Sequence, residues 1–334
     1  MTNMKNPFKK KSPKKKGDSD DSAIDDLVSQ LDQKLQVNDD IDAPEELKEV
    51  ARMIASGNAK KIVVLSGAGV SVAAGIPDFR SPGTGLYDNL QAYNLPYPEA
   101  VFDVDFYVKT PQPFVTLAKE IWPGLTHSPT LTHSFLKLLS DHNLLLRNYT
   151  QNIDGLEFLA GLDSDKIVEC HGHFRTASCA RCKKAADADQ TRDDILKGQV
   201  PRCTKCKKPV KPDIVFFGES LPSRFHNLLQ KDVESADLLL VMGTSLQVAP
   251  VSMIPQMVNC PRVLLNRELV MDLTSDDDIW VPGNCDDAVE KLCELLGWWD
   301  RLKKQNKETR IVSPKKVEKN GEAEKGKKET SQEQ

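Results

Sequence analysis

The chain has 334 residues, and at about 150 residues per domain this length suggests two folding units. Apolar residues make up 39% of the sequence and charged residues 28%, which permits a sizeable soluble core, and no apolar run approaches the ~20 residues of a membrane span. The N-terminus lacks the apolar stretch of a secretory signal and becomes acidic too early for a mitochondrial transit peptide. We therefore expect an intracellular, reducing compartment, which favours thiols or metal ligands over disulfides for the eight cysteines.

Charge is distributed unevenly along the chain. The net charge is −4, but residues 1–16 contain seven lysines and no acidic residue, and residues 302–334 contain ten Lys or Arg and six Glu. The segment between these two basic ends therefore carries a net charge of −15. An acidic body argues against direct binding of nucleic acid by the core, and it suits basic partners such as lysine-rich peptides.

Both ends are predicted to be disordered tails, over residues 1–39 and 302–334, because they offer little apolar surface to offset the entropy of ordering. An apolar stripe in the first tail is either an amphipathic helix that docks on the body or a leucine-rich export signal. We expect a cytoplasmic protein, with shuttling to the nucleus if the second interpretation holds. The stripe consists of Ile24, Leu27, Leu31, Leu35 and Val37.

Each tail also contains one SPKK sequence, at Ser12 and Ser313. Such a sequence is either a possible site for a proline-directed kinase or part of a plain solvated tail.

Between the tails, a helix over 44–57 precedes a series of short apolar runs. Pro44 suits a first helical turn, and Gly57 suits a helix end. The runs are continuous and not alternating, which indicates strands covered on both faces, as in a parallel α/β sheet. Since open sheets of this kind bind ligands at the carboxyl ends of their strands, we predict a crevice at that edge. The runs are KIVVL (61–65), LLLRNYT (144–150), KIVEC (166–170), LLLVM (238–242) and VLL (263–265).

A glycine-rich turn, Gly67-Ala68-Gly69, follows the first predicted strand. Glycines at such a turn let the backbone approach a pyrophosphate group. The dinucleotide fingerprint is incomplete, because Val72 occupies the third glycine position and no acidic residue closes a second strand about 20 residues later. These defects argue against an ordinary nicotinamide dehydrogenase and leave a tight turn without a ligand as the alternative.

Two CxxC pairs are separated by twenty residues, which is a spacing typical of four-cysteine zinc sites. Four protein ligands leave no open coordination position, so the ion would be structural and not catalytic. Four free thiols are the alternative. The predicted ligands are Cys179, Cys182, Cys203 and Cys206.

Polar residues follow two further predicted strands. His171 comes directly after KIVEC, where a histidine can act as a base near neutral pH. Gln151, Asn152 and Asp154 follow LLLRNYT. Each of these residues alone is more simply a turn, a cap or a satisfied histidine. Their coincidence at one sheet edge favours a functional site.

Several segments, taken in chain order, resemble the sirtuins, the family of NAD-dependent protein lysine deacylases. They are GAGVSVAAGIPDFRSP, YTQNIDGLE, ECHGHF, the two CxxC pairs, KPDIVFFGE, GTSLQV, LLNRE and GNCDDAV, and they span about residues 40–300. The segments LPYPEAVF and IVFFGESLP are most similar to the branch that contains human sirtuin-2 and sirtuin-3. The sequence departs from that branch at Val72, Ala73 and His173, which bears on fine substrate preference more than on activity.

The resemblance implies an α/β catalytic domain over 40–301 with two parts. A large domain would contain a Rossmann-like parallel sheet, and a smaller domain would combine a zinc module at about 172–211 with a helical module at about 83–140. NAD, consumed as a co-substrate, would lie between the two, and one structural Zn²⁺ would occupy the cysteine site.

The resemblance also assigns residues to these ligands. His171 and Asn152 would be catalytic. An acyl-lysine peptide would add a strand between 217–219 and the loop around Gln247 and Val248. The residues implied for NAD are Ala68, Gly69, Val70, Ser71 and Val72 at the phosphates, Asp78, Phe79 and Arg80 in the cofactor loop, Gln151, Asn152, Ile153 and Asp154 around nicotinamide and its ribose, and Thr244, Ser245, Asn266, Arg267, Glu268 and Cys285 at the adenosine end.

The implied reaction is NAD-dependent deacetylation or deacylation of protein lysines. The acyl group would move from lysine to ADP-ribose with release of nicotinamide, and His171 would be the general base on the ribose hydroxyls. Two alternatives use the same NAD pocket: a mono-ADP-ribosyltransferase, and a non-catalytic scaffold that binds NAD or acyl-lysine. The intact His171, Asn152 and Asp154 argue against the scaffold. No membrane partner is expected.

Overall fold

The computed structural model describes residues 37–78, 95–123 and 127–311. Its centre is a six-stranded sheet with strand order β3-β2-β1-β7-β8-β9, in which every pair of neighbours is parallel. The strands are β1 (Ile62–Ser66), β2 (Leu145–Thr150), β3 (Ile167–Glu169), β7 (Leu238–Met242), β8 (Arg262–Asn266) and β9 (Ile279–Pro282). All residues of β1, β7 and β8 are buried. The predicted parallel α/β sheet is confirmed.

Helices cover both faces of this sheet, which explains why its strands are continuously apolar. One face packs against α1 (Glu45–Ala55), α4 (Leu131–Asp141), α8 (Cys285–Leu295) and α9 (Trp299–Glu308). The other face packs against α7 (Ser223–Ser235) and a 3-10 helix over Val251–Gln256. Side chains of β1 alternate between these layers: Ile62 and Val64 contact the first, Val63 and Leu65 the second.

A smaller antiparallel sheet of order β5-β4-β6 forms the zinc module. Its strands are β4 (Gly172–Cys179), β5 (Ala185–Ala186) and β6 (Val210–Ile214), and α6 (Ala188–Leu196) packs on β4. A helical module contributes α2 (Val104–Lys109) and α3 (Gln112–Ile121). The remaining short helix, α5 (Leu156–Leu159), follows β2.

The helical and zinc modules share one hydrophobic core. Phe102, Tyr107 and Phe114 of the helical module make edge-on ring contacts with each other or with Phe216, which follows β6. The Tyr107 hydroxyl donates a 2.6 Å hydrogen bond to the carbonyl of Val210 in the zinc module. The two insertions therefore form a single body beside the large sheet.

Two predicted boundaries need correction. The helical module does not extend to 140, because α4 packs in the core of the large domain through Phe135, Leu136, Leu138 and Leu139. The large domain also does not end at 301, because α9 crosses that position and buries Leu302 completely. The boundary at 301 was predicted from sequence composition, in which the polar face of an amphipathic helix resembles a solvated tail.

The structure also extends the N-terminal boundary slightly. Val37, expected in the tail, packs against the core of the large domain, and the backbone N–H of Asn38 donates to the carbonyl of Leu295. The other residues of the predicted apolar stripe lie outside the described part of the chain, as do Ser12 and Ser313. Among the described helices, none has both the length and the apolar character required to cross a bilayer.

Candidate active site

A cavity of about 900 Å³ opens at the carboxyl ends of β1, β2, β7 and β8, between the large sheet and the smaller body. Most of the predicted NAD residues line it. They are Ala68, Gly69, Val72, Asp78, Gln151, Asn152, Ile153, Thr244, Ser245, Asn266, Arg267, Glu268 and Cys285, and the predicted catalytic residue His171 lines the cavity with them. The crevice predicted from the strand ends is therefore present and carries this set of residues together.

Other predicted residues lie behind the cavity wall or outside the described chain. Val70 is buried in the core of the large domain, and Ser71 is buried with its hydroxyl directed to Asp154. Phe79 and Arg80 lie outside the described residues. The side chains of Val70 and Ser71 thus support the glycine-rich turn and do not form its surface.

The glycines of this turn are required for packing against a second loop. A Cβ on Gly69 would lie 2.6 Å from the Cα of Gly243, and a Cβ on Gly67 would lie 2.7 Å from the Cβ of Thr244. Gly243 itself has a φ of +59° and faces Val70 equally closely. The close approach of the loops after β1 and β7 therefore excludes side chains here, a reason that sequence alone did not supply.

His171 presents one free ring nitrogen at the cavity. Its Nδ1 lies 2.8 Å from the carbonyl oxygen of Gln151, which can only accept, so Nδ1 carries the hydrogen and Nε2 has the lone pair. Nε2 is buried and has no partner within the described part of the chain. Burial lowers the pKa of His171, which keeps the imidazole neutral near pH 7. A neutral imidazole with an unpartnered Nε2 can accept a proton from a donor in the cavity.

Asn152 and Asp154 are held by a hydrogen-bond network. The Asn152 amide donates to the Gly67 carbonyl at 3.0 Å and to the Ser71 hydroxyl at 3.2 Å. Ser71 donates in turn to one oxygen of Asp154 at 2.7 Å, and the backbone N–H of Leu156 donates to the other at 3.0 Å. The loop after β2 is thereby fixed to the loop after β1. Asn152 lines the cavity, whereas Asp154, also predicted to contact NAD, lies behind its wall.

The opposite end of the cavity is built from β8 and the start of α8. Asn266 donates to the carbonyl of Glu268 at 2.8 Å, and Arg267 donates to the side-chain oxygen of Asn284 at 2.8 Å. The Cys285 thiol is directed to the carbonyl of Leu265, so a ligand contact from Cys285 would involve its backbone. These groups fit the adenosine end of a dinucleotide, since they combine amide, guanidinium and backbone donors.

The predicted peptide cleft has one well-fixed wall. Phe217 exchanges backbone hydrogen bonds with the helical module, through the carbonyl of Phe102 and the N–H of Val104. Glu219 forms ion pairs with Lys183 and Lys211 of the zinc module. The extended segment 217–219 is thus anchored to both modules, and it lines the same cavity as Gln247 and Val248.

Four cysteine sulfurs form the predicted metal cluster. The Sγ atoms of Cys179 and Cys206 lie 3.4 Å apart, those of Cys182 and Cys203 lie 3.7 Å apart, and all four lie within 4.8 Å of one another. Thiolates around a tetrahedral zinc ion, with Zn–S bonds of about 2.3 Å, lie about 3.8 Å apart. Hydrogen bonds from the backbone of Cys206 and Lys205 lower the pKa of Cys203 to about 6, whereas burial and the three neighbouring thiols raise the pKa of Cys206 to about 11. The donor set fits structural zinc.

Sequence reasoning missed some polar residues near the cavity. His226 lines the cavity at the start of α7, and Asp286 caps α4 by accepting from the backbone of Leu131 and Thr132. Glu157 and His133 are fully buried behind Asp154. Their burial is set by tertiary packing, and within apolar runs such as LEFL a lone acid carries no distinguishing signal.

Comparison with known proteins follows this geometry. The model of the Sir2 family matches residues 67–250. The NAD-dependent protein deacetylase hst2 of Schizosaccharomyces pombe is 49% identical over 267 residues, covering 79% of this chain and 80% of that protein. The NAD-dependent protein deacetylase sirtuin-2 of Danio rerio is 47% identical, covering 78% and 74%. The NAD-dependent protein deacetylase sirtuin-3 of Mus musculus is 48% identical, covering 77% and 78%.

Proposed function

The chain belongs to the Sir2 family, the sirtuins, and we propose on this basis that it is an NAD-dependent protein lysine deacetylase. The observation that carries the proposal is the free Nε2 of a neutral His171, buried at a cavity whose wall carries the family's residues at each strand end. When bound, NAD supplies ADP-ribose as the acceptor of the acyl group and nicotinamide as the leaving group.

His171 supplies the base that this chemistry requires. Its Nε2 would take a proton from a ribose hydroxyl, while the hydrogen bond from Nδ1 to the Gln151 carbonyl holds the ring in the required tautomer. That carbonyl also stabilises the imidazolium that forms. Gln151 is itself fixed, because its amide donates to the Thr244 hydroxyl at 2.9 Å.

Asn152 and Asp154 would bind the nicotinamide end. The two hydrogen bonds donated by Asn152 and the two accepted by Asp154 fix both side chains before any ligand arrives. Such preorganisation avoids an ordering cost during the reaction. Thr244, Ser245, Asn266 and Arg267, with the backbone of Cys285, would hold the adenosine end.

The protein substrate would bind as an added strand. Residues 217–219 and the loop around Gln247 and Val248 line the cavity beside His171. Main-chain hydrogen bonds would provide most of the affinity, and the net charge of −15 on the body would attract lysine-rich segments.

The test is to incubate the protein with NAD and a panel of acyl-lysine peptides, and to follow nicotinamide release and product masses. We expect release that depends on acyl-peptide and yields O-acyl-ADP-ribose. His171→Ala should remove deacylation. His173→Ala is the matched control, since His173 lies two residues away and does not line the cavity. Equal losses in both variants, or ADP-ribosylated protein as the main product, would contradict the proposal.

For localisation we propose a cytoplasmic protein that shuttles to the nucleus through the stripe containing Leu31 and Leu35. Changing both leucines to Ala should move a fluorescent fusion toward the nucleus, whereas changing Ser12 to Ala is the control within the same tail. An unchanged distribution would refute the export signal. Phosphate incorporation at Ser12 or Ser313 by a proline-directed kinase in vitro would test the SPKK sequences separately.

A further inference from the structure

A cluster of three titratable side chains lies behind the cavity wall. His133 of α4, Asp154 after β2 and Glu157 of α5 each place one ring nitrogen or carboxylate oxygen within 4.8 Å of the others. His133 is 0% and Glu157 1% exposed. Two carboxylates this close in a dry site cannot both ionise without a large electrostatic cost. Only one of Asp154 and Glu157 is therefore expected to be ionised.

The hydrogen bonds assign the charge to Asp154. Both of its oxygens accept hydrogen bonds, one from the Ser71 hydroxyl and one from the backbone N–H of Leu156. A carboxylate that accepts at both oxygens is stabilised in its ionised form. Asp154 is also less buried than Glu157, so its ionised form has the smaller desolvation cost.

Glu157 has the opposite surroundings. Burial, followed by the charge of Asp154, raises the pKa of Glu157 to about 8. The Thr150 hydroxyl opposes this rise, while Glu169 at the end of β3 adds to it. The amide of Asn148, 3.4 Å away, is a neutral donor. The two charged groups that act most strongly on Glu157, Asp154 and Glu169, are both carboxylates, so neither offsets a second negative charge in the cluster.

The neutrality of His133 follows from its own contacts. Nδ1 of His133 lies 3.2 Å from the backbone nitrogen of Thr130 and 2.8 Å from its hydroxyl oxygen, which itself donates to the carbonyl of Val70. Burial lowers the pKa of His133, although Asp154 and Asp286 act in the opposite direction. Nε2 is buried and has no hydrogen-bond partner within the described part of the chain. The ring therefore adds no positive charge to the cluster at neutral pH.

We propose that Glu157 is a positioning residue, protonated at neutral pH, which confines the single negative charge of the cluster to Asp154 and so holds that carboxylate in place at the nicotinamide end. The role of Asp154 at that end rests on the proposed deacetylase function. The charge on Glu157 does not depend on it and can be measured without turnover.

The stability of the fold reports that charge directly. The pKa of Glu157 is raised in the folded state, so the folded protein binds more protons than the unfolded one between pH 4.5 and about 8, and its stability falls as pH rises through this range. Glu157→Gln replaces the protonated acid by a neutral isostere and should remove this loss. Relative to the parent, the variant should gain at least about 5 °C in melting temperature between pH 6 and pH 9.

The matched control is Glu46→Gln, which neutralises an exposed acid in the first turn of α1. It should show no such pH-dependent gain. A Glu157→Gln protein whose melting temperature differs from the parent by the same amount at pH 6 and pH 9 would overturn the proposal. If the variant does not fold, carbon-13 titration of the Glu157 carboxyl in the parent decides the question. A midpoint above pH 7 supports the proposal, and one below pH 7 overturns it.

Measurements of deacetylase activity test the positioning role of Glu157 separately from its protonation state. With acyl-peptide and NAD, Glu157→Gln should keep kcat/KM within about threefold of the parent at pH 7, and Glu157→Ala should lose more than tenfold. Above pH 8 the parent should decline relative to Glu157→Gln. Parallel pH profiles for these two proteins would refute the positioning role alone. If neither protein deacetylates any peptide, both the proposed function and the positioning role are refuted. The melting experiment still tests whether Glu157 is protonated.

Discussion

The C-terminal helix α9 should be essential to the stability of the catalytic domain. Removing residues 302–311 deletes Leu302, which is fully buried against the large-domain core. It also deletes Asn306, whose amide donates to the Pro129 carbonyl at 2.9 Å and to the Ser134 hydroxyl at 3.1 Å. These contacts hold α4, the helix that carries His133, so the damage should reach the active site.

The magnitude follows from these contacts. Truncating a buried leucine costs about 2–5 kcal/mol, and each lost hydrogen bond about 1 kcal/mol. Their sum is about 5 kcal/mol, which corresponds to a fall of about 10 °C or more in melting temperature for a domain of this size. Fragments 37–311 and 37–301 should be compared by urea denaturation and thermal melting.

Two point variants of the longer fragment localise the effect. Leu302→Ala should account for about half of the loss or more, whereas Lys304→Ala, on the exposed face of the same helix, should change the free energy of unfolding by less than about 0.5 kcal/mol. If fragment 37–301 melts within 2 °C of fragment 37–311, the packing argument is wrong.

Four further predictions concern the site and the fold. His171→Ala should reduce deacylation ~10²–10⁴-fold while exchange of labelled nicotinamide into NAD survives, and unreduced deacylation would exclude it as the base. Cys179→Ala should lose stoichiometric zinc and melt earlier, and a stable zinc-free protein would contradict the structural assignment. Gly69→Ala should weaken NAD binding, measured by calorimetry, because its Cβ would meet a backbone atom at 2.6 Å. Burial opposes ionisation of Asp278, but hydrogen bonds from Arg262 lower the pKa of Asp278 to about 2, so stability present above pH 3.8 should be lost toward pH 2 in the parent and not in Asp278→Asn.

The strands and the zinc cluster were predictable because their signals are local. A continuous apolar run such as LLLVM has no polar face to expose, and in the structure every residue of β7 is buried. Cysteines separated by two intervening residues can place their sulfurs on one ion whatever surrounds them. The polar residues after each strand were predictable for a related reason, since parallel strands bring their carboxyl ends to one edge.

Features that depend on packing between distant segments were not predictable in the same way. The polar surface of α9 hides the burial of Leu302, and the pairing of Gly69 with Gly243 joins loops 174 residues apart in sequence. Glu157 lies on α5, which packs against α4, and no local sequence pattern indicates that contact. In each case the residue is visible in the sequence, but the residue that it contacts is known only from the folded structure.

The strand that borders the cysteine cluster also leads into the wall of the proposed peptide cleft. β6 begins at Val210, which packs beside the zinc-binding cysteines, and the chain continues without interruption into Phe217 and Glu219 at the cavity. Glu219 is tied back to the zinc module through Lys183, the residue after the second cysteine ligand. If the acyl-lysine peptide binds along 217–219 as proposed, we expect a chelator or a thiol oxidant to weaken its binding through this segment, without entering the NAD pocket.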